Sequence, residues 1–128
     1  MEPLTLSGLL MVERVGWDAL AAGRAAGYYA EMLAPDGVMV FADGIIRDRS
    51  LAIATLEHMP RWELGEIEGA RLVLVDVSSA ALMYSAVVRL HTGAVMDSVM
   101  TSVYRWEGRE LRLAFFQQTP CRVTAFYA

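Results

Sequence analysis

Residues 98–119 read SVMTSVYRWEGRELRLAFFQQT, and this stretch decides the fold. On each side of Glu107-Gly108 the side chains alternate over about ten residues, as they do in β-strands joined by a tight turn. Similar runs with short connectors extend toward the N-terminus. They predict strands at residues 61–68, 71–78, 82–90, 98–107 and 110–119. Connectors this short allow only hairpin links, so we expect an antiparallel meander.

Helical segments precede this sheet. Apolar residues at three- and four-residue steps predict a first helix over residues 5–22, which Gly23 is placed to end. A second helix is predicted over residues 24–33, where a Pro-Asp-Gly turn at 35–37 stops it. Two short helices in tandem therefore lead into the strands.

A short hairpin and a third helix connect these helices to the meander. Residues 37–42 read GVMVFA, which predicts a strand, and Ile45-Ile46 is its expected partner across an Asp-Gly turn. Asp48 is placed to cap a helix that ends near Met59-Pro60.

Length and composition indicate one domain with a large apolar core. The chain has 128 residues, which suits a single domain over residues 1–128. Its hydrophobic content of 55% exceeds the roughly 45–50% typical of soluble domains. On the last strand Phe116 and Gln118 share one face, while Leu111, Leu113 and Phe115 share the other. A sheet that is apolar on both faces needs a cover on each.

Three short helices cover only one side of such a sheet. We therefore expect a homodimer in which the outer sheet face packs against a second copy of the chain. A thick monomeric core is the alternative that the sequence leaves open.

Charge and residue usage exclude several classes of function. The net charge is −4, and the 11 basic residues are arginines scattered singly, so no nucleic-acid partner is predicted. No apolar run reaches the roughly 18 residues of a membrane span, so no membrane partner is predicted. Cys121 is the only cysteine and the N-terminus lacks signal-peptide character, which together predict a cytoplasmic protein. Neither metal-ligand spacing nor a phosphate-binding glycine loop is present, so no metal and no cofactor are predicted.

Four segments resemble a known family. They are residues 17–23, 29–41, 102–104 and 116–120, the last reading FQQTP. With the order of elements, they resemble the nuclear transport factor 2-like superfamily, especially its SnoaL-like and ketosteroid-isomerase-like proteins and a domain-of-unknown-function branch ending in about H-Q-Q-T-P. The resemblance implies an α+β, cystatin-like fold: a cone-shaped barrel with a curved antiparallel β-sheet, N-terminal helices that close a pocket, and commonly a homodimer. It does not define an activity, because this fold hosts isomerases, cyclases, dehydratases, epoxide hydrolases and binding domains.

The catalytic groups of ketosteroid isomerases do not carry over. The resemblance places that family's aspartate base at Phe41 and its protonated aspartate at Ser102. It places the oxyanion-hole tyrosine at Gly16 or Trp17. A phenyl ring cannot abstract a proton, and a serine hydroxyl is a weaker donor than a neutral carboxylic acid. Phe116 also replaces the histidine of the H-Q-Q-T-P branch, so no catalytic residue is assigned.

The same resemblance predicts an apolar and aromatic pocket on the concave face, which is typical of sites for small hydrophobic ligands. The predicted function is a binding domain for a small apolar or aromatic ligand. The alternatives are a SnoaL-like isomerase, cyclase or hydrolase that uses acid–base chemistry, and a cone filled by its own side chains. Whether the protein is an enzyme stays open. The predicted lining comprises Trp17, Tyr28, Met39, Phe41, Trp62, Tyr84, Ser102, Tyr104, Phe116 and Gln118.

A few titratable residues are further candidates. Asp43 and Asp48 flank the predicted turn near the pocket rim, where a base could act, although a turn aspartate and a helix cap explain them. His58 at a helix end and His91 in a turn are predicted to be structural or exposed. Glu13 lies on the apolar stripe of the first helix, where a carboxylate is costly unless it is paired. Glu13 is predicted either to pair with one of Arg89, Arg105 and Arg112 or to face the pocket.

Overall fold

The computed structural model describes residues 2–121. Over this range the chain forms three helices and one six-stranded sheet, the predicted α+β arrangement. The elements in chain order are α1 (Leu6–Ala21), α2 (Ala25–Met32), β1 (Leu33–Val40), β2 (Ile46–Asp48), α3 (Arg49–His58), β3 (Trp62–Leu74), β4 (Ser79–Leu90), β5 (Val95–Glu107) and β6 (Glu110–Pro120).

Local signals set the ends of the helices. Thr5 caps α1 by accepting a hydrogen bond from the backbone N–H of Gly8 at 3.1 Å. Asp48 caps α3 by accepting from the N–H of Leu51 at 2.9 Å. Gly23 follows α1 with a φ of +75°, a conformation that favours glycine. The three predicted helices are confirmed, with ends within one or two residues of those expected.

The sheet has the strand order β2-β1-β6-β5-β4-β3. β3 to β6 form the predicted antiparallel meander, and β1 pairs antiparallel with β2. β1 lies parallel to β6 and begins at Leu33, ahead of its predicted start, because a register shift before Val38 absorbs the Pro-Asp-Gly segment. Within residues 2–121 the edge strands β2 and β3 do not pair. The sheet is therefore curved and open rather than closed into a barrel, in keeping with the predicted fold class.

One long strand replaces the first two strands predicted for the meander. β3 continues from Trp62 to Leu74, so the connector predicted between strands 61–68 and 71–78 is wrong. Its pairing with β4 shifts register twice, and Gly69 has a φ of +63°. At Gly65 a side chain would begin 2.9 Å from the carbonyl oxygen of Val87. Glycines in β3 thus mark bulges and close backbone approach rather than a hairpin.

A bulge in β6 decides which of its side chains face the core. Val103 of β5 pairs with Phe115, whereas Tyr104 pairs with Leu113, so Ala114 is an extra residue in β6. The extra residue turns Leu113 to the concave side, where it is only 1% exposed. The prediction that Leu113 shares the outer face with Phe115 is therefore wrong.

The core lies between the helices and the concave face of the sheet. On the opposite, convex face, Val99, Thr101 and Val103 alternate with buried residues of β5 and remain partly exposed. Met83 and Phe115 flank them on the neighbouring strands. The convex face is thus apolar at its centre and is not covered by any element formed by residues 2–121. Among residues 2–121, no helix is both long and apolar enough to cross a membrane.

Candidate functional site

A small cavity lies between the helices and the concave face of the sheet. Its volume is about 70 Å³, room for about two water molecules at roughly 30 Å³ each. Ligand sites for drug-sized molecules usually enclose roughly 300–1,000 Å³, so side chains fill most of the cone. The lining residues are Trp17, Leu20, Tyr29, Met39, Phe41, Ala42, Leu56, Met59, Trp62, Phe116 and Gln118.

Three of the lining rings are steeply inclined to one another. The ring centroids of Trp17 and Phe116 lie 6.4 Å apart at an interplanar angle of 69°. Those of Phe41 and Phe116 are also 6.4 Å apart, at 55°. Edge-on and tilted contacts of this kind are favourable between aromatic rings. Since the planes diverge, these rings bound a compact space rather than a parallel slot for a flat molecule.

Gln118 supplies the amide group of this lining, which also includes the hydroxyl-bearing Tyr29 and the indole rings of Trp17 and Trp62. Its Nε2 donates to Oγ of Ser98 at 3.0 Å and lies 3.6 Å from Sδ of Met96. A thioether sulfur can only accept a hydrogen bond. The position of the Met96 sulfur therefore favours the orientation of the Gln118 amide in which its nitrogen, rather than its oxygen, points toward Met96. Neither of these contacts uses the carbonyl oxygen of Gln118.

A buried carboxylate lies behind the cavity wall. Glu13 on α1 is only 4% exposed. Its Oε2 accepts hydrogen bonds from the hydroxyls of Tyr84 at 2.5 Å and Ser102 at 2.9 Å, and its Oε1 accepts from Tyr104 at 2.6 Å. The indole Nε1 of Trp17 donates to the Tyr84 hydroxyl at 2.7 Å. We call the first four of these residues, Glu13, Tyr84, Ser102 and Tyr104, the Glu13 cluster.

Two of the three arginines predicted as possible partners of Glu13 pair with other carboxylates. Arg105 pairs with Asp36 and Glu107, and Arg112 pairs with Glu110. Arg105 and Arg112 face each other across β5 and β6 on the convex side. Hydroxyl groups on the concave side satisfy Glu13 instead.

Burial and hydrogen bonding act on the pKa of Glu13 in opposite directions. Desolvation is the largest cause and raises the pKa above its ordinary value of 4.5, while the bonds from Tyr104, Tyr84 and Ser102 lower it. Burial, reinforced by the Glu13 carboxylate, raises the pKa values of Tyr84 and Tyr104 well above 10.0. Both tyrosines therefore keep their protons and act as donors.

Trp17 and Tyr29 separate the cavity from the Glu13 cluster. Both line the cavity, and Trp17 is hydrogen-bonded to Tyr84 on the far side. Burial, and then the Glu13 carboxylate, raise the pKa of Tyr29. A Cβ at Gly16 would lie 2.5 Å from the Tyr29 hydroxyl, so glycine lets this tyrosine approach α1 closely. A ligand in the cavity reaches Glu13 only if this wall moves.

A buried arginine supports the cavity rim. Arg47 on β2 is 7% exposed and makes two hydrogen bonds to the carboxylate of Asp43, at 2.7 and 3.0 Å. Its Nε donates to Oγ1 of Thr55 at 3.1 Å, and its guanidinium carbon lies 4.8 Å from the ring centroid of Phe41. The hydrogen bonds from Arg47 are the main cause that lowers the pKa of Asp43 to about 2. Asp43 is thus an ionised partner of Arg47 rather than a carboxylate poised near neutral pH.

Six of the ten residues predicted for the pocket line the cavity: Trp17, Met39, Phe41, Trp62, Phe116 and Gln118. Tyr84, Ser102 and Tyr104 lie deeper, in the Glu13 cluster. Tyr28 lies outside the lining, and its hydroxyl donates to the carbonyl oxygen of Val12 at 3.3 Å.

Tyr29 lines the cavity but was not among the residues predicted from the sequence. The eight-residue helix α2 carries Tyr28 and Tyr29 side by side, and so short a helix gives little periodicity to choose between them. The close contact at Gly16 was the available signal, but it depends on the packing of α2 against α1. His58 and His91 are exposed, at a helix end and in a turn.

The linings of two larger surface depressions include charged residues. One of about 490 Å³ on the sheet is lined in part by Glu66, Glu68, Arg89 and Asp97. Another of about 840 Å³ beside α2 and α3 contains Arg112 and Glu110, which pair with each other. The aromatic cavity is the smaller space, but it alone among these three adjoins the buried polar cluster.

No protein-family model and no curated protein match the chain. Solved structures do match. A nuclear transport factor 2-like protein of unknown function from Pseudomonas aeruginosa superposes with a TM-score of 0.72 at 21% identity, over 91% of this chain and 98% of that one. An uncharacterised protein with a cystatin-like fold from Caulobacter vibrioides gives 0.77 at 14% identity, over 93% and 91%. The chain therefore has the nuclear transport factor 2-like fold that the sequence predicted.

A further similar structure is described as a hub homology domain. It is the calcium/calmodulin-dependent kinase II hub homology domain of Chlamydomonas reinhardtii, with a TM-score of 0.75 and 14% identity over 91% of this chain and 97% of that one. Identities this low establish the fold and leave the activity to the residues of this chain.

Proposed function

We propose that this protein is a homodimeric binding domain whose aromatic cavity takes a compact, largely apolar small molecule. The observation that carries the proposal is the cavity lining itself: aromatic rings and methionines with Gln118 as a polar tip. Such a composition favours a ligand that gains affinity from apolar contact and orientation from one hydrogen bond. The volume of about 70 Å³ limits the enclosed part of the ligand to a few heavy atoms.

Binding is favoured over catalysis because of where the titratable groups lie. Within the part of the chain that the structure describes, the lining contains no carboxylate, histidine, lysine or arginine. Glu13 has both oxygens engaged behind Trp17, and Asp43 is paired with Arg47. The acid–base alternative therefore requires Trp17 to release the Tyr84 hydroxyl and expose Glu13.

The dimer is proposed to form through the convex face of the sheet. Its central side chains, including Val99, Val103 and Phe115, are apolar and only partly covered within one chain. Burial of such a face gains roughly 25 cal/mol per Å² of apolar area removed from water. The hub homology domain of similar fold gives a precedent for assembly by this architecture.

Xenon tests the cavity without assuming a polar group on the ligand, because it enters apolar cavities of this kind. In proton–nitrogen NMR spectra the indole N–H signals of Trp17 and Trp62 should shift under xenon pressure. The signal of Trp106, whose Nε1 donates to the carbonyl oxygen of Glu2 away from the cavity, should stay in place.

Matched substitutions define the site. Ala42→Leu fills the cavity from its lining and should abolish the xenon response, whereas Ala54→Leu makes the same change at an exposed position of α3 and should preserve it. Equal shifts of all three indole signals, or a full response in Ala42→Leu, would count against an internal binding site.

A second candidate is an assembly module whose cone is filled by its own side chains. The small cavity volume favours it, as does the similarity to the hub homology domain. Under this alternative xenon leaves the indole signals unchanged, while the oligomer persists in sedimentation velocity experiments.

A further inference from the structure

The amide and the aromatic rings of the cavity lining can select among small ligands. The ligand class inferred from them rests on the proposed binding function. Gln118 is the amide residue of the lining, and this side chain could offer a ligand either a donor or an acceptor. Its amide nitrogen already donates to Ser98 and faces Sδ of Met96. The carbonyl oxygen takes part in neither contact, so the group left to meet a ligand is an acceptor.

The surrounding rings favour positive charge on that ligand. Trp17, Phe41 and Phe116 present inclined rings to one compact space, with Trp62 and Tyr29 completing the aromatic lining. Aromatic faces attract cations, and tryptophan does so most strongly. The guanidinium carbon of Arg47 lies 4.8 Å from the ring centroid of Phe41, but Arg47 lies outside the lining and its charge is compensated by Asp43. Among residues 2–121, the lining contributes no cation of its own to repel a positive ligand.

We propose that the cavity binds a small alkylammonium group, which donates an N–H to the carbonyl oxygen of Gln118 while its methyl groups contact the aromatic rings. The volume of about 70 Å³ admits a branched head of a few heavy atoms, and any longer substituent extends past the rim. A flat aromatic ligand is disfavoured because the ring planes diverge.

Three molecules of nearly equal size separate this inference from simple apolar binding. Isopropylammonium is a cationic donor, 2-propanol a neutral donor, and acetone only an acceptor. Titrations at pH 7, followed by the indole signals of Trp17 and Trp62 with Trp106 as internal reference, give the three dissociation constants. Isopropylammonium should bind about tenfold more tightly than acetone, with 2-propanol between them, because hydrogen bonds involving a charged group are the stronger ones.

A matched pair of variants tests the role of the acceptor. Gln118→Met keeps the length of the side chain and removes the carbonyl oxygen, so it should bring isopropylammonium close to acetone. Gln117→Met makes the same change one residue earlier, outside the lining, and should retain the wild-type order. Thermal melting of both variants checks that the fold is preserved.

The outcomes distinguish this inference from the proposed function. If acetone binds as tightly as isopropylammonium, or if none of the three binds while xenon does, the alkylammonium assignment is overturned and an apolar cavity remains. If xenon also fails, both proposals are rejected.

Discussion

Replacing Tyr104 with phenylalanine removes one of the three hydroxyls that satisfy Glu13. The tyrosine ring is buried and its hydroxyl lies 2.6 Å from Oε1 of Glu13. A hydrogen bond to a charged group contributes roughly 1.5–3 kcal/mol, so we expect the free energy of unfolding to fall by about 2 kcal/mol. For a domain of this size, at roughly 4 °C per kcal/mol, the melting temperature should fall by about 8 °C.

Urea unfolding measures this loss, and the protomer concentration is kept fixed because the stability of the proposed dimer would depend on it. Tyr28→Phe is the matched control. Its hydroxyl makes a long, 3.3 Å bond to the backbone oxygen of Val12, so its loss should cost about 0.5 kcal/mol. Equal costs for the two variants would refute the reasoning, because they would mean that the Glu13 cluster contributes no more than an ordinary polar contact.

The pH dependence provides an independent check. The pKa of Glu13 is raised in the folded state, so the folded protein binds more protons than the unfolded chain above pH 4.5. The corresponding stability is fully present below pH 4.5 and is lost as the pH rises through the folded pKa. Tyr104→Phe removes a bond that lowers this pKa and should extend the decline to higher pH, whereas Glu13→Gln should abolish it. An unchanged pH profile in Glu13→Gln would show that Glu13 does not titrate in this way.

Three further predictions concern other parts of the molecule. Asp43→Asn removes the charge partner of buried Arg47 and should destabilise the protein by about 1 kcal/mol, because the Asp43 side chain is 46% exposed and water screens the pair. The pKa of Asp43 is lowered to about 2, so its contribution is present above pH 3.8 and is lost as the pH falls toward 2, which acid unfolding measures. Val103→Asp places a charge at the centre of the convex face and should convert the proposed dimer to a folded monomer in sedimentation velocity, while an unchanged profile rejects that interface. Gly16→Ala should lower the melting temperature because its Cβ meets a tyrosine hydroxyl at 2.5 Å, whereas Gly27→Ala, with open space around its Cβ in α2, should raise stability by roughly 0.5–1 kcal/mol; the opposite order would contradict the packing of α2 on α1.

The sequence by itself determined the elements that depend on neighbouring residues. Thr5 and Asp48 cap helices through backbone groups three residues away, and Glu107-Gly108 closes a hairpin whose strands alternate on both sides. These interactions are local, so residue type and spacing suffice to predict them. The order of such elements, together with the family resemblance, was enough to predict the nuclear transport factor 2-like fold and six residues of the cavity lining.

Only the tertiary structure decided how these elements meet. The extra residue Ala114 moved Leu113 into the core, because a single bulge exchanges the faces of every residue beyond it. The partners of Glu13 lie 71 to 91 residues away on β4 and β5, so no local pattern could choose hydroxyls over arginines. The volume of the cavity depends likewise on how rings from α1, β6 and the segment after β1 pack together, and close packing over long sequence separations cannot be derived from spacing along the chain.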